Sequence, residues 1–163
     1  MLKRMYVNNY RCLVNFEIEF DAMTLLLGRN GSGKTSLLDI LHGIRRLIIF
    51  GDRAGEVFSP DDMTAWVDSK KQTFELTVKD NDDLYDYRLV LGYNEKDRRM
   101  QIDYESLSHN NNPLFDFIDG VVVVYSDSQP KLNYPADPTR SALIIVTDID
   151  GSDRIVWFRR WFG

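Results

Sequence analysis

The sequence predicts an α/β fold with a mixed central sheet, one principal helix and an antiparallel β subdomain, and three observations carry this prediction. Apolar residues recur at helical spacing over 34–50, directly after a glycine-rich turn. Three segments between 72 and 105 alternate apolar and polar residues and are joined by short turn-rich links, which is typical of an antiparallel meander. The run Val121-Val122-Val123-Val124 is β-branched throughout, which predicts a buried strand that returns to the central sheet.

Three strands are predicted before the helix. Residues 3–8 form the first strand, and residues 14–20 alternate apolar and polar, which predicts a strand with one wet face. The short apolar run Met23-Thr24-Leu25-Leu26-Leu27 predicts a buried third strand. The helix is expected to run from Lys34 to about Phe50 and to stop at Gly51-Asp52.

A complete phosphate-binding motif of the form G-x-x-x-x-G-K-[ST] lies between the third strand and the helix. It reads Gly28-Arg29-Asn30-Gly31-Ser32-Gly33-Lys34-Thr35-Ser36. Glycines allow several backbone N–H groups to converge on one anion, and the positive end of the helix dipole adds to the attraction. Lys34 is expected to reach the β- and γ-phosphates and the Thr35 hydroxyl to take one position on Mg²⁺. The sequence therefore predicts a nucleoside triphosphate site.

Composition sets the broader limits. A chain of 163 residues is one domain by length, and its net charge of −5 argues against a broad nucleic-acid surface, although a local patch stays open. A single cysteine, Cys12, excludes an intramolecular disulfide and a cysteine-based zinc cluster, which fits a reducing compartment. No signal peptide is visible, and the longest apolar runs are too short to span a bilayer. A cytoplasmic protein without a membrane partner is therefore expected.

The N-terminal third resembles a known family. A polar-aromatic-arginine element, Asn9-Tyr10-Arg11-Cys12-Leu13, follows the first strand, and the alternating strand and the run from Leu25 to Asp39 come next. This order, with the core Asn30-Gly31-Ser32-Gly33-Lys34-Thr35, resembles the N-terminal lobe of ABC-type P-loop ATPases of the SMC and RecF kind, including the OLD-like AAA family ATPases of DNA repair and phage defence. The resemblance implies binding of ATP with Mg²⁺ and places an antiparallel β subdomain at 72–105.

Two further site residues follow from the resemblance alone. Arg11 matches an arginine that lies near the nucleotide in such ATPases, although a surface arginine beside a turn is an equal alternative. Gln129 matches a glutamine that senses Mg²⁺ and the attacking water, which makes it a candidate catalytic residue and metal contact. A loop glutamine without a partner is the alternative for Gln129.

Motifs that the family needs for hydrolysis are missing from this sequence. It contains no Asp-Glu dipeptide, the pair that holds Mg²⁺ and polarises water, and no Gly-Gly pair for the loop that caps ATP from the opposite subunit. In such ATPases these motifs lie in a C-terminal lobe. The chain is therefore expected to be one ATP-binding lobe of a longer ATPase, completed by that lobe and by a homodimer that sandwiches ATP. Its parts are the loop and helix (1–50), the β subdomain (72–105) and a return strand with an apolar, self-associating end (114–163).

Two alternatives remain open. The first is a module that uses ATP to control dimerisation or partner docking without hydrolysis. The second, weaker alternative is a GTPase, because Asp148-Ile149-Asp150-Gly151 matches a D-x-x-G switch element. That match lies more than a hundred residues after the loop, and no Asn-Lys-x-Asp motif exists to read guanine. The chain alone is expected to bind Mg·ATP with negligible turnover, and Asp127, Asp148 and Asp150 are the carboxylates to mutate if turnover is found.

Overall fold

The described part of the chain is organised by one antiparallel sheet. The computed structural model describes residues 1–149 and 153–163, and the side chains of residues 148 and 149 lie outside that description. The strands are β1 (Leu2–Asn8), β2 (Phe16–Glu19), β3 (Lys71–Asp80), β4 (Asp83–Asn94), β5 (Arg99–His109), β6 (Asn112–Ile118), β7 (Val121–Ser126) and β8 (Gln129–Pro135). Their order across the sheet is β2-β1-β3-β4-β5-β6-β7-β8.

The expected mixed sheet is not found, because every strand pair among the described residues is antiparallel. From β3 onward each strand pairs with the next along the chain. Two-residue links with positive φ at both positions join some of these strands, and such turns force the chain back beside itself. The run 121–124 is one strand of this meander and does not return to a separate sheet; Val122 and Val124 are buried, whereas Val121 is exposed.

Four helices, a π-helical segment and a 3-10 turn cover one face of the sheet. They are α1 (Lys34–Arg45), continued by a π-helical segment (Arg46–Phe50), then α2 (Ala54–Val57), a 3-10 turn (Pro60–Asp62), α3 (Ala142–Ile149) and α4 (Asp153–Trp161). Gly51 ends the continuous helix with φ of 72°, at the position that the sequence predicts. Apolar residues of the covered sheet face and of the helices form one core. Within the described residues, no helix combines the length and the apolar character needed to cross a membrane.

The predicted third strand does not form. Residues 23–27 adopt no regular secondary structure, and no described strand pairs with them. Met23, Leu25 and Leu27 are 92%, 77% and 81% exposed, and only Leu26 is partly covered. The expectation of a buried strand at this position is therefore wrong for this chain. A short apolar run becomes a buried strand only where neighbouring strands supply hydrogen bonds and a cover.

The aromatic end of the chain folds back onto the sheet instead of lying open. Phe158 is fully buried and Phe162 nearly so. The Phe158 ring centroid lies 5.5 Å from that of Tyr87, and the Trp157 ring stacks on Tyr85 at 4.4 Å. This packing removes the reason for the expected self-association through these aromatic residues, because Phe158 and Phe162 are buried and Trp157 and Trp161 pack against the domain's own core.

A buried carboxylate joins the sheet to α3. Glu105 on β5 is fully buried and accepts hydrogen bonds from the Tyr87 hydroxyl (2.8 Å), the Ser141 hydroxyl (2.6 Å) and the Ala142 backbone N–H (2.6 Å). The last two donors stand at the first turn of α3, where backbone N–H groups otherwise have no partner. Glu105 thus fixes the position of α3 over the sheet.

Candidate functional site

The glycine loop has the backbone conformation that its sequence predicts. Gly31 and Gly33 have φ of 83° and 90°, in the left-handed region that L side chains rarely adopt. A Cβ atom at Gly28 would lie 2.6 Å from the Ser32 hydroxyl, so a side chain there would displace the Ser32 side chain where the loop closes. The Ser32 N–H donates to the Arg29 carbonyl at 3.2 Å. The loop is a tight ring of backbone that ends on the first turn of α1.

The start of α1 is open to an anion. Gly33 caps the helix without a side-chain hydrogen bond, and the first turn carries no acidic residue. The first bond to close the helix is the one from the Leu37 N–H to the Gly33 carbonyl, at 3.1 Å. N–H groups in the first turn therefore have no helical carbonyl to bind, and the helix dipole favours negative charge at the same place.

The ammonium group of Lys34 lies over the loop. Its Nζ donates to the Gly28 carbonyl at 2.7 Å, the Arg29 carbonyl at 2.9 Å and the Ser32 hydroxyl at 3.2 Å. A positive charge and open backbone donors thus lie next to each other at the start of α1. This combination fits a phosphate chain. Thr35 is exposed on the same turn, where its hydroxyl can serve as an oxygen ligand for Mg²⁺, whereas Ser36 is buried beneath it.

Arg11 stands beside the loop and its helix. Its guanidinium bonds Asp39 on α1 and Asp62 (Nε to Oδ1, 2.9 Å), and its backbone N–H donates to the Asp62 carbonyl at 2.6 Å. Hydrogen bonds to Asp62 and Asp39 raise the pKa of Arg11 further above its ordinary value, so it remains a cation. Arg11 therefore clamps the 60–64 segment to α1 next to the candidate phosphate site.

The two residues after Arg11 support the loop from below. A Cβ atom at Gly33 would lie 2.8 Å from Leu13 Cδ2 and 3.1 Å from Cys12 Sγ. Beneath them, burial raises the pKa of Tyr10 to about 12, with the charge of Asp62 adding to the effect. The floor of the loop is thus an apolar surface that leaves no room for a side chain at Gly33.

Gln129 lies far from the glycine loop in the fold. It opens β8, the edge strand farthest from β2, and its side chain is exposed. Six strand spacings separate β8 from β1, roughly 29 Å at about 4.8 Å each. The expectation of a glutamine that contacts Mg²⁺ therefore has no support in this geometry, because the meander carries residues 112–135 away from β1. Asp127 lies in the adjoining turn and shares that position.

Among residues 1–149 and 153–163, no group of three or more His, Cys, Asp or Glu side chains could hold a metal ion. Asp39, the acid that the sequence places on α1, is engaged by Arg11. The D-x-x-G match falls outside the described residues from Asp150 to Gly151, as does the Asp148 side chain.

Sequence reasoning missed the residues that hold the site together. Asp62 and Thr64, in a segment read only as irregular, bond Arg11 through its side chain and backbone. Asn9 is fully buried and accepts from the Thr64 N–H at 2.9 Å. An asparagine and a threonine 55 residues apart carry no pattern that signals their pairing. The nearest hint is the polar character of Asn9 at the end of an apolar strand.

Comparisons with known proteins identify the family of this chain. Residues 1–133 match the AAA ATPase domain family. A stretch of 38 residues is 45% identical to the OLD nuclease of Thermus scotoductus; it makes up 23% of the chain and only 7% of that relative's length.

Two solved structures are similar to the chain at low identity. One, from work on ATP-driven dimerization and DNA-stimulated activation of SMC ATPases, is 16% identical with a TM-score of 0.43, covering 69% of this chain and 70% of that one. The other, the recombination mediator RecF with ATP, is 24% identical with a TM-score of 0.40, covering 69% of this chain and 27% of that one. The family match over most of its length shows that the chain belongs to the AAA ATPase domain family.

Proposed function

We propose that this chain binds ATP with Mg²⁺ through residues 28–36, as the N-terminal lobe of a longer ATPase. The observation that carries the proposal is the placement of Lys34 Nζ over a closed glycine loop at the open end of α1. The open N–H groups and Lys34 would hold the phosphates, and Thr35 would contribute an oxygen ligand to Mg²⁺. When bound, Mg²⁺ would neutralise phosphate charge.

Replacing the lysine tests this assignment. Lys34→Ala should abolish measurable ATP binding in a calorimetric titration while leaving the unfolding midpoint nearly unchanged, because the side chain contacts only the loop. Lys96→Ala, in the exposed β4–β5 turn, is the matched control and should bind like the wild type. Unchanged affinity in Lys34→Ala would refute the proposed phosphate site. Competition with GTP separates an ATP site from the GTPase alternative.

The exposed segment 23–27 supports the proposal that a further lobe completes the protein. Three apolar side chains stand exposed directly before the phosphate loop, and exposed apolar surface of this kind normally meets another element. We infer that strands of the missing C-terminal lobe pair with this segment. Amide hydrogens of residues 23–27 should exchange rapidly in this chain and become protected when the polypeptide is extended. Equal exchange in both forms would refute the pairing.

Turnover is proposed to depend on groups from outside these residues. Binding needs the loop, Lys34 and Thr35, whereas hydrolysis also needs a group to position water and added charge at the transferring phosphoryl group. The described residues supply no carboxylate cluster at the loop. Phosphate release by this chain should therefore match that of Lys34→Ala. Turnover near one per second that the mutation removes would show a complete site within the chain.

The biological role depends on how the bound ATP is used. The sequence resemblance favours DNA repair or anti-phage defence, with ATP held between the heads of a homodimer. The control of dimerisation or partner docking by ATP without hydrolysis is the alternative use of the same site. ATP-dependent association of the extended polypeptide, measured by light scattering with and without Lys34→Ala, would support the dimer. Association that does not depend on nucleotide would contradict it.

A further inference from the structure

Trp66 is the most exposed aromatic residue among residues 1–149 and 153–163. Its side chain is 73% exposed, whereas Trp157 and Trp161 pack against the core. An indole ring is large and mostly apolar, so its full display on a surface is costly unless it meets a partner. The position of Trp66 in the fold indicates which partner that is.

Hydrogen bonds tie the backbone that carries Trp66 to the segment after β1. Residues 64–67 form a turn closed by a hydrogen bond from the Val67 N–H to the Thr64 carbonyl at 3.1 Å. Thr64 is 3% exposed; its N–H donates to Asn9 Oδ1 at 2.9 Å and its hydroxyl to the Arg11 carbonyl at 2.8 Å. Trp66 therefore projects from a turn whose first residue is pinned to the segment after β1.

The same segment forms one side of the phosphate loop. Arg11 is bonded to Asp39 on α1, and Leu13 lies against Gly33 at the helix start. The Cα of Trp66 lies at most two Cα steps, about 7.6 Å, from that of Thr64. Trp66 therefore stands on the same side of the phosphate loop as Arg11, on a turn whose first residue bonds the Arg11 carbonyl.

We propose that Trp66 stacks on the base of the nucleotide whose phosphates the loop binds; this inference rests on the proposed function. Every base has a π-face, so an exposed indole adds affinity to any of them without reading base identity. Trp66 would thus raise affinity for nucleotides over inorganic polyphosphate. It would not by itself separate ATP from GTP, a choice that needs hydrogen bonds to the base edge.

Calorimetry with two ligands tests the stacking. In Trp66→Ala the affinity for ATP should fall on the order of tenfold, and the affinity for inorganic tripolyphosphate should stay unchanged. Trp66→Phe keeps an aromatic face and should recover most of the ATP affinity. Lys34→Ala should lose both ligands.

Tryptophan fluorescence gives an independent measure. ATP should quench emission of the wild type and leave that of Trp66→Phe unchanged, because Trp157 stacks on Tyr85 and Trp161 packs near Phe158 within the core. Wild-type ATP affinity in Trp66→Ala would overturn the inference and leave the phosphate site intact. Equal losses of ATP and tripolyphosphate would also overturn it, since the mutation would then act on the loop. Unchanged binding in Lys34→Ala would instead refute the proposed function.

Discussion

Removal of the Glu105 carboxylate should test how α3 is attached to the sheet. The carboxylate receives three buried donors, from Tyr87, Ser141 and the Ala142 backbone. Glu105→Ala deletes the acceptor of all three. Glu105→Gln keeps an oxygen for the two hydroxyl groups but can turn an NH₂ group toward the Ala142 N–H. The two variants therefore separate the loss of the whole network from the loss of one bond.

The expected cost follows from the number of orphaned donors. A buried donor left without an acceptor costs about 1–3 kcal/mol, and the Ser141 hydroxyl can rotate toward another partner. Two buried donors then stay without an acceptor, and the removal of a buried charge offsets part of their cost. The free energy of unfolding of Glu105→Ala should therefore fall by about 3–5 kcal/mol. Glu105→Gln should lose about 1–2 kcal/mol. Against a total stability of roughly 5–15 kcal/mol, the alanine variant is severely destabilised.

The pH dependence gives a second readout of the same group. Burial raises the pKa of Glu105 above its ordinary 4.5, although the hydrogen bonds from Ser141, Tyr87 and Ala142 act in the opposite direction. The native state then binds this proton more readily than the unfolded chain. The stabilising contribution is fully present below pH 4.5 and is lost as pH rises through the folded pKa. The stability of the wild type relative to Glu105→Gln should therefore fall over that window and then level off.

Urea unfolding at several pH values measures both effects. Glu19→Ala, an exposed glutamate on β2, is the control and should stay within about 0.5 kcal/mol of the wild type. A Glu105→Ala variant as stable as this control would show that the three buried donors do not depend on the carboxylate. A Glu105→Gln variant that unfolds more easily than Glu105→Ala would contradict the retained hydrogen bonds.

The remaining predictions concern the loop, its support and the C-terminal helix. Gly33→Ala should lose about 1–3 kcal/mol of stability and bind ATP more weakly, because the added Cβ meets the Leu13 side chain. Gly31→Ala, whose Cβ would enter open space, should show only the cost of its positive φ. Equal results for both variants in urea unfolding and calorimetry would contradict the contact with Leu13. Asn9→Ala should lose about 2–4 kcal/mol of stability. The Asn9 side chain donates to two backbone carbonyls and accepts from one N–H, and its φ of 62° is unfavourable for alanine. A free energy of unfolding in urea within about 0.5 kcal/mol of the wild type would refute this. Phe158→Ala should lose about 3–5 kcal/mol by the same assay, because the ring is fully buried, and a neutral result would mean that α4 does not pack as described.

Local patterns in the sequence determined the parts of the fold that depend on near neighbours. The loop could be predicted because glycine spacing and the following helix fix where backbone N–H groups point. The alternating segments form β3, β4 and β5, because a period of two residues suits only a strand with one covered face. Gly51 ended the helix because its positive φ is a property of the residue itself.

Only the tertiary structure decided what depends on distant partners. An apolar run such as 23–27 or 157–162 predicts contact with another apolar surface, but not whether that surface belongs to the same chain. In this structure the run 157–162 packs against the core, whereas most of 23–27 stays exposed. Sheet direction follows from which strands meet, so the meander carried Gln129 to the far edge while Arg11 stayed beside the loop. The exposure of Trp66 depends on bonds between residues 53 and 55 positions apart, and such pairings are set by packing rather than by any local pattern.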